Sequence, residues 1–377
     1  MQPIVTTQFN PVYNSDMTLT DISNIRLINQ QINAQKFKSA KDVINWMGAI
    51  QAQDFSMSKW AIGIRLSNSI EKIIETAIDD GDILRTHLLR PTLHLVSSDD
   101  INWILKLTAP GIKASLKPRY KELELSESLF KKCNAIIEDA LKGAIHLTRE
   151  ELTAILNKAK ISTGGQRAYH ILVRAELDGI VCSGIVKNGK QTYALLNERV
   201  PKTKDLHKDE ALEKISRKYF LSRGPATLQD FKWWSGLSAT DAKNAFEMIK
   251  SDLISEKAGS ETYWALSCLC IPENKNYSAH LLPAFDEFLI SYKDRRASLP
   301  LINFKKAVSE NGIFRPVIVI NGQVMGLWKR TIIKEKVIIE TDLFYPDNNP
   351  IMNQIEEGIE KFGQFIGKQT GIEHIIR

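Results

Sequence analysis

The amides of Gln51 and Gln53 are the side chains in this chain best suited to chemistry, and they lie in the run Gln51-Ala52-Gln53-Asp54. We predict that this run ends the second helix of an N-terminal unit. Residues at i and i+2 do not share a helix face, but the two amides converge if the helix ends or unwinds there. They would then hold a water molecule together with the Asp54 carboxylate. On the residues alone, a plainer interpretation is preferred, in which these are polar side chains at a helix end without a catalytic role.

Signatures of the common enzyme classes are missing from the sequence. There is no GxGxxG after a strand, no P-loop, no GxSxG and no HExxH. The seven histidines show no spacing typical of metal ligands. Cys268-x-Cys270 lacks a second Cys/His pair at zinc spacing, so we expect two small residues on a strand there and no metal site. We predict no cofactor.

Length and charge set the broad class of the protein. At roughly 100–200 residues per domain, its 377 residues suggest two or three domains. No apolar run approaches the roughly 18–20 residues of a membrane-spanning helix. The N-terminus lacks the pattern of a secretory signal and four cysteines are too few for a disulfide framework, so we expect a cytoplasmic protein.

The net charge is +6, from 50 basic and 44 acidic residues. Basic side chains cluster in residues 152–175, 187–204 and 293–306, each beside a predicted hairpin or helix start. A single stretch of this kind is typical of a solvated face. Three of them favour nucleic acid as a partner.

A repeated pattern of elements must position these side chains. Residues 144–200 are predicted to form helix, helix and hairpin, because Thr148 and Glu151 make a capping box and Asn188-Gly189 is a strong hairpin signal. Two helices followed by a basic hairpin are the plan of a winged helix. The predicted segments are winged helices at 18–98, 144–200 and 205–270, a helical connector at 99–143, and a C-terminal β-domain with a terminal helix at 278–377.

Outside residues 144–200, the sequence contains further helix caps and hairpin turns, with weaker patterns. Further helix caps are predicted at Thr18 or Thr20, Ser39, Thr227 and Ser238, and a further hairpin at Asn321-Gly322. The segment SAHLLPAFDEFLISYKDR is interpreted as β-rich. The predicted fold class is therefore α+β, with three tandem winged-helix motifs followed by a small C-terminal β-barrel-like domain.

The segments IQAQDFSMSKWAIGIRL and RTHLLRPTLHLVSSDDINWIL resemble a family of winged-helix DNA glycosylases, that of the azinomycin-resistance, interstrand-crosslink glycosylase. DFKWWSGLSATDAKNAFE, LLPAFDEFLISYKDR and FRPVIVINGQVMGLWKR follow in the expected order, so the resemblance covers residues 20–340. It implies three winged helices, a C-terminal β-barrel and a catalytic Gln-Φ-Gln motif with Φ apolar. Gln51-Ala52-Gln53 matches that motif with a small Φ, which implies that Gln51 and Gln53 position the attacking water.

Arg90, Thr92 and His94 alternate in sequence, so they share a face if they lie on a strand. We predict that they face DNA phosphates or the lesion, with the alternative that they tie the strand to neighbouring helices. Trp233-Trp234 is interpreted as core, although a tryptophan there could stack on a base. Asp294-Arg295 is interpreted as a structural ion pair.

Other basic residues are predicted to contact DNA. Lys187 and Lys190 flank the hairpin tip of the second winged helix, where they suit a phosphate or the minor groove. Arg167 opens a helix, whose N-terminus also favours phosphate. Lys329 and Arg330 would line a channel between the C-terminal domain and the winged helices.

We therefore predict a monomeric DNA glycosylase that acts on N-alkylated purines in duplex DNA, including bulky or crosslinked ones, without metal, membrane or obligate protein partner. No lysine is placed for Schiff-base lyase chemistry, although Lys59 lies six residues after Gln53. The competing interpretations are a non-catalytic DNA-binding protein, such as a transcription regulator, and a protein-interaction scaffold. Three unlike winged helices in one chain argue against a symmetric reader of palindromes.

Overall fold

A computed structural model describes residues 17–201, 205–266, 278–345 and 352–374. Helix α1 (Leu19–Asn29) begins this part of the chain, and a unit of helix, strand, two helices and hairpin follows. Its elements are α2 (Ala40–Met47), β1 (Ile50–Gln51), α3 (Phe55–Gly63), α4 (Glu71–Asp79), β2 (Ile83–Leu88) and β3 (Thr92–Ser97). The strands form an antiparallel sheet in the order β1-β3-β2.

The same order of elements recurs twice after α5 (Ile101–Glu122). The second unit contains α6 (Glu127–Leu141), β4 (Leu147–Thr148), α7 (Arg149–Lys158), α8 (Arg167–Leu177), β5 (Val181–Lys187) and β6 (Lys190–Leu195), followed by α9 (Leu196–Arg199). The third contains α10 (Lys208–Arg223), α11 (Leu228–Ser235), α12 (Ala239–Ile249), β7 (Ile254–Ala258) and β8 (Glu261–Ala265). An isolated bridge between Ala226 and Trp264 takes the place of the short first strand in the third unit.

Local signals in the sequence account for the ends of many elements. Side chains cap the helices as predicted at Thr18, Ser39, Thr148, Thr227 and Ser238. Both residues of Asn188-Gly189 and of Asn321-Gly322 have positive φ, which is the conformation of a two-residue type I′ hairpin turn. The first-unit hairpin turns instead through Leu89, Arg90 and Pro91.

Helix α6 packs in the second unit, although the sequence analysis assigns it to the connector at 99–143. Its buried Phe130 and Ile137 lie in one hydrophobic cluster with Leu152 of α7 and Ile171 of α8. The unit therefore needs this helix to close its core, and its sheet takes the order β4-β6-β5. Sequence periodicity showed the helix but not the neighbours against which it packs.

The C-terminal part is an open five-stranded sheet in the order β13-β12-β11-β10-β9. Its elements are β9 (Ala279–Leu282), α13 (Glu287–Ile290), α14 (Phe304–Ala307), β10 (Val317–Ile320), β11 (Gln323–Ile333), β12 (Lys336–Leu343), α15 (Met352–Ile366) and β13 (Gln369–His374). β9 and β13 are its edges, so the described strands do not close into a ring. The prediction of a β-rich segment at 278–295 is wrong after Leu282, because Asp286 caps the short helix α13 there.

The first unit shares one core with the C-terminal sheet. Trp60 of α3 packs on Phe362 and Phe365 of α15, and its indole N–H donates to the Leu281 carbonyl at 2.7 Å. The β2–β3 hairpin, in turn, contributes to the core of the third unit. The strand that carries Gln51 therefore lies at a junction of three parts of the molecule. Among the described residues, no helix combines the length and the apolar character that crossing a bilayer requires.

Candidate functional site

Gln51 lies on strand β1, not at the end of a helix as the sequence analysis predicted. Helix α2 already ends at Met47, because Gly48 adopts a positive φ, and Gln51 then pairs with His94 on β3. Gln51 is only 5% exposed, and its side-chain Oε1 accepts a hydrogen bond from Arg90 Nη2 at 3.1 Å. The carboxamide is therefore partly enclosed and held in one orientation.

Gln53 follows in a bend and is exposed. Its Oε1 lies 3.5 Å from the backbone N–H of Leu93, which donates to it. Asp54 caps α3 by accepting from the Met57 N–H at 3.0 Å. Gln51 thus lies at the end of a strand and Gln53 in the bend that follows, so the predicted unwound helix end is absent from this segment.

A buried ion pair fixes the backbone that carries Gln51. Arg223 is fully buried and donates to Glu287 Oε2 at 2.7 Å and to the carbonyls of Met47 and Ala49 at 2.6 and 2.7 Å. Glu287 Oε1 accepts from the Gln51 N–H at 2.8 Å. Burial by itself would raise the pKa of Glu287, but the Arg223 guanidinium and the hydrogen bonds to the carboxylate lower it to about 2. The pair thus holds both ends of the segment 47–51.

Arg90 belongs to a group of cations around one tryptophan ring. The Arg90 guanidinium lies 5.6 Å from the centre of the half-buried Trp233 ring, and Lys293 and Arg295 lie 5.0 and 5.5 Å from it. Burial, together with repulsion from Arg90, lowers the pKa of Arg295 to about 10. Positive charge is therefore concentrated around Trp233, and through Arg90 it reaches Gln51, so this surface would attract the DNA backbone.

Close packing of the third unit fixes the turn that carries Arg90. Gly236, which ends α11 with φ 67°, lies so close that a Cβ added there would come within 2.2 Å of the Leu89 carbonyl oxygen. Trp234 is fully buried and donates to Glu287 Oε2 at 3.2 Å. The structure thus places Trp234 in the core and leaves part of Trp233 accessible.

Thr92 and His94 lie on β3, whereas Arg90 precedes the strand in the turn. His94 is fully buried, and burial, with Arg90 adding to the shift, lowers its pKa to about 3. The neutral ring contacts the Thr92 carbonyl through Nδ1 at 2.9 Å, so Nδ1 carries the proton and Nε2 is an acceptor. This burial leaves His94 no surface with which to contact a DNA phosphate.

Three buried polar atoms next to Gln51 have no hydrogen-bond partner among the described residues. They are Arg90 Nε, Thr92 Oγ1 and His94 Nε2. Buried polar groups in proteins are nearly always satisfied by protein, water or ligand. Arg90 contacts Gln51, and Thr92 and His94 lie on the strand that pairs with β1, so these polar atoms belong to the surroundings of Gln51.

A cavity of about 470 Å³ lies between the start of α3 and the C-terminal sheet. Asp54 and Met57 line one side, and Lys329 and Arg330 of β11 line the other. Lys329 is exposed and pairs with Glu340 at 3.1 Å, while Arg330 donates to the Ser56 hydroxyl at 3.0 Å. The two basic residues thus flank an open space directly after Gln53.

The other predicted DNA contacts differ in how free their side chains are. Lys187 and Lys190 flank the tip of the β5–β6 hairpin, are more than half exposed, and make only long ion pairs of 3.9 and 3.7 Å with Glu151 and Glu150. Arg167 does open α8, but its guanidinium donates to the carbonyls of Ser162 and Leu123. The hairpin is available to a partner, whereas the Arg167 side chain already supports the fold.

Lys59 and Asp294, both singled out in the sequence, make ion pairs that support the fold. Lys59 is buried, and its ammonium pairs with Glu71 at 2.7 Å and Glu75 at 2.9 Å, so it is not free for Schiff-base chemistry. Asp294 pairs with Arg296 and not with Arg295 as predicted, since the Arg296 Nη2 lies 2.5 Å from its carboxylate.

Cys268 and Cys270 were predicted to be two small residues on a strand without a metal ion. The two cysteines lie outside the described residues. Within the described ranges, no three His, Cys, Asp or Glu side chains lie close enough together to hold a metal ion.

Sequence reasoning missed Glu287, Arg223 and Arg85. Glu287 and Gln51 are 236 positions apart, and no local spacing signals such a contact. Arg85 donates to the carbonyl of Ala52, between the two glutamines, at 2.8 and 3.0 Å. A charged residue inside the apolar run ILRTHLL was the one signal that could have drawn attention to it.

Most of this chain is similar to proteins that are already known. A family model described as DNA glycosylase AlkZ-like matches residues 44–365. The interstrand DNA cross-link repair glycosylase of Streptomyces sahachiroi is 22% identical over 367 residues, which cover 93% of this chain and 96% of that protein. The solved structure of Streptomyces sahachiroi DNA glycosylase AlkZ superimposes with a TM-score of 0.77 at 19% identity, covering 96% of this chain and all of the other. The structural similarity shows a shared α+β fold.

Proposed function

Because this chain belongs to the family of AlkZ-like DNA glycosylases, enzymes that hydrolyse N-glycosidic bonds, we propose that its substrate is an N-alkylated purine in duplex DNA. The lesion class includes bulky and crosslinked adducts, in line with the crosslink-repair relative. One observation carries the proposal: Arg90 holds the Gln51 carboxamide at the end of strand β1, next to the strand that bears the partnerless atoms of Thr92 and His94. Gln53 follows two residues later.

In the proposed reaction, water attacks C1′ while the bond from C1′ to the purine nitrogen breaks. An N7- or N3-alkylated purine carries a positive charge and takes the bond electrons, so it leaves as a neutral base without a general acid. The transition state then resembles an oxocarbenium ion. The protein must mainly orient the water and stabilise charge, which hydrogen-bonding groups fixed in advance do efficiently.

The Gln51 carboxamide is suited to orient this water. Arg90 fixes its Oε1, which retains a second lone pair. His94, the register partner of Gln51, and Thr92 on the same strand carry further polar atoms without a partner among the described residues. We propose that Gln53, which is exposed, completes the set from the solvent side. Neither a carboxamide nor the neutral His94 ring, whose pKa is about 3, takes up an additional proton at neutral pH. The proton of the attacking water therefore passes to solvent.

The same arrangement explains selectivity for damaged bases. A normal purine is a poor leaving group, and a site without a strong acid does not improve it. Only a purine already destabilised by alkylation is therefore released. Since Lys59 is engaged by two glutamates, we propose a monofunctional glycosylase that does not cleave the strand.

DNA would lie across the repeated units, which we propose to be three winged helices acting in a monomer. The exposed hairpin tip with Lys187 and Lys190 would follow the backbone on one side of the glutamines, and Lys329 would do so on the other. Thr92, which is only partly exposed, and Arg90 would lie closest to the lesion.

The test is base release from duplexes that each contain one defined lesion: 7-methylguanine, 3-methyladenine, a bulky N7 adduct, an N7–N7 crosslink and, as a neutral control, 8-oxoguanine. We expect release from at least one cationic purine, none from 8-oxoguanine, and no covalent complex after borohydride treatment. Failure to release any cationic purine would overturn the proposal, as would equal release of 8-oxoguanine.

A further inference from the structure

Arg85 on β2 connects the peptide between the two glutamines with the second unit. Its Nε and Nη2 both donate to the Ala52 carbonyl, at 3.0 and 2.8 Å. Its Nη1 donates to Oε1 of Gln191 on β6. A guanidinium is a rigid planar fork, so these two partners together fix where it lies. One side chain therefore joins the glutamine segment to the β5–β6 hairpin.

The Ala52 peptide determines how the chain leaves strand β1. The Ala52 N–H donates to the Leu93 carbonyl at 2.8 Å, and the Ala52 carbonyl accepts both Arg85 donors. Because a peptide unit is planar, a fixed Ala52 carbonyl also fixes the direction in which Gln53 follows. The Gln53 side chain is exposed, and its contact with the Leu93 N–H is long, 3.5 Å. Gln53 therefore depends on the backbone before it for its position.

The second unit holds Arg85 at two points. Its backbone N–H donates to Ser183 Oγ on β5 at 2.8 Å, and its side chain donates to Gln191. Gln191 pairs with Val186 across the hairpin, and the Val186 N–H donates to Oδ1 of Asp79 on α4 at 3.0 Å. The hairpin is therefore anchored on the first unit at the level of Gln191, which keeps the acceptor for Arg85 in place.

The charge of the half-buried Arg85 strengthens these contacts. Burial lowers the pKa of Arg85, but a guanidinium remains protonated at neutral pH. Hydrogen bonds from a charged donor are roughly twice as strong as those between neutral groups. All three guanidinium nitrogens have protein partners, so the role of this arginine lies inside the protein and not in binding a phosphate.

We propose that Arg85 and Gln191 are positioning residues for the proposed glycosylase reaction. Acting through the Ala52 carbonyl, they set where Gln53 lies relative to Gln51. The second unit then contributes to the orientation of the attacking water as well as to DNA binding. This inference rests on the proposed function and adds two residues that act on the chemistry without touching the substrate.

Three variants of the full-length protein test the inference in single-turnover release of 7-methylguanine, with the affinity for duplex measured alongside. Gln191→Leu removes the acceptor at similar size, and we expect the maximal rate to fall about tenfold while the dissociation constant changes less than about twofold. Gln191→Glu keeps an acceptor for Arg85 and should stay within about threefold of the wild-type rate. Arg85→Lys keeps the charge but loses the fork that holds both partners, so its rate should also fall about tenfold.

A double-mutant cycle shows whether the effect passes through Gln53. In Gln53→Ala protein the amide that is being positioned is gone, so adding Gln191→Leu should slow release by less than about a further twofold. A full tenfold slowing in that background would overturn the proposal, because the loss would then arise elsewhere in the molecule.

Gln364→Leu makes the same replacement at an exposed glutamine of α15, and this control should match the wild type. If the wild type releases 7-methylguanine and Gln191→Leu releases it equally fast, the second unit does not position the glutamines, while the proposed function stands. Equal losses in Gln191→Leu and Gln191→Glu would also overturn the inference, since the acceptor would not matter. If the wild type releases no base, inference and function fall together. Should Arg85→Lys unfold at the assay temperature, the Gln191 variants decide alone.

Discussion

Gln51 is held from two sides by residues that are distant in sequence. Arg90 donates to its side chain, and Glu287 accepts from its backbone N–H. A resemblance of motif identified Gln51 and Gln53, but no spacing rule could identify Glu287, because the contact depends on how the C-terminal part packs on the first unit. The candidate side chain could thus be named from the sequence, whereas the side chains that hold it in place could not.

Arg90 is predicted to act as a positioning residue for Gln51. Arg90→Ala removes a charged donor, a contact typically worth about 1.5–3 kcal/mol, so release of 7-methylguanine should slow about ten- to a hundredfold. Arg90→Lys should restore part of the rate. Single-turnover kinetics measure both, with Arg296→Ala as the control because Arg296 pairs only with nearby Asp294 on the surface. If Arg90→Ala releases 7-methylguanine at the wild-type rate, Gln51 does not need Arg90 for its orientation.

Among the elements, those with strong local signals were predictable and those defined by partners were not. The caps at Thr148 and Ser238 and the Asn188-Gly189 turn are dictated by hydrogen bonds and backbone conformations within a few residues. Strand β1 has only two residues and exists because β3 pairs with it. A segment that short shows no alternation in sequence, so Gln51 was placed on a helix.

The β5–β6 hairpin is predicted to contact DNA phosphates through Lys187 and Lys190. Since each phosphate contact contributes about 0.9 to the salt slope, Lys187→Ala/Lys190→Ala should lower the slope of log K against log salt by roughly 2 and weaken binding to all sequences alike. Fluorescence anisotropy over a salt series measures this. Lys142→Ala/Lys250→Ala, which removes two exposed lysines paired with acids three residues away, is the control. An unchanged salt slope in Lys187→Ala/Lys190→Ala would show that the β5–β6 hairpin does not contact DNA phosphates.

In the whole molecule, the site lies where the first unit meets the C-terminal sheet and the third unit. The α+β class was predictable, because it depends on periodicity and turn signals along the chain. The mutual packing of the parts was not, since it rests on contacts such as that of Trp60 with Phe362 across 302 positions. A DNA-binding protein should also bind DNA less tightly as the salt concentration rises. A protein-interaction scaffold need not show this dependence.

The stability of the molecule is predicted to fall as the solution becomes acidic. The pKa of His94 is about 3 in the folded protein and about 6.5 when unfolded. The unfolded state therefore binds a proton that the folded state does not, so the stabilisation present above pH 6.5 is lost as the pH falls towards 3. The cost rises below pH 6.5 and approaches about 1.4 kcal/mol per pH unit between about pH 5.5 and 4.

Urea unfolding at pH 7 and pH 4.5 measures this effect. His94→Gln, which cannot titrate, should lose less stability than the wild type between the two values, even if it is less stable at pH 7. Equal losses in the two proteins would show that His94 does not remain neutral in the fold.

The most direct measurement is single-turnover release of 7-methylguanine from a duplex by the wild type, Gln51→Ala and Gln53→Ala, with the affinity for undamaged duplex measured alongside. We predict that each substitution slows release on the order of a hundredfold or more while the dissociation constant for DNA changes less than about threefold. If both variants release the base at the wild-type rate, the two amides do not position the water, and the chemistry must lie elsewhere in the molecule.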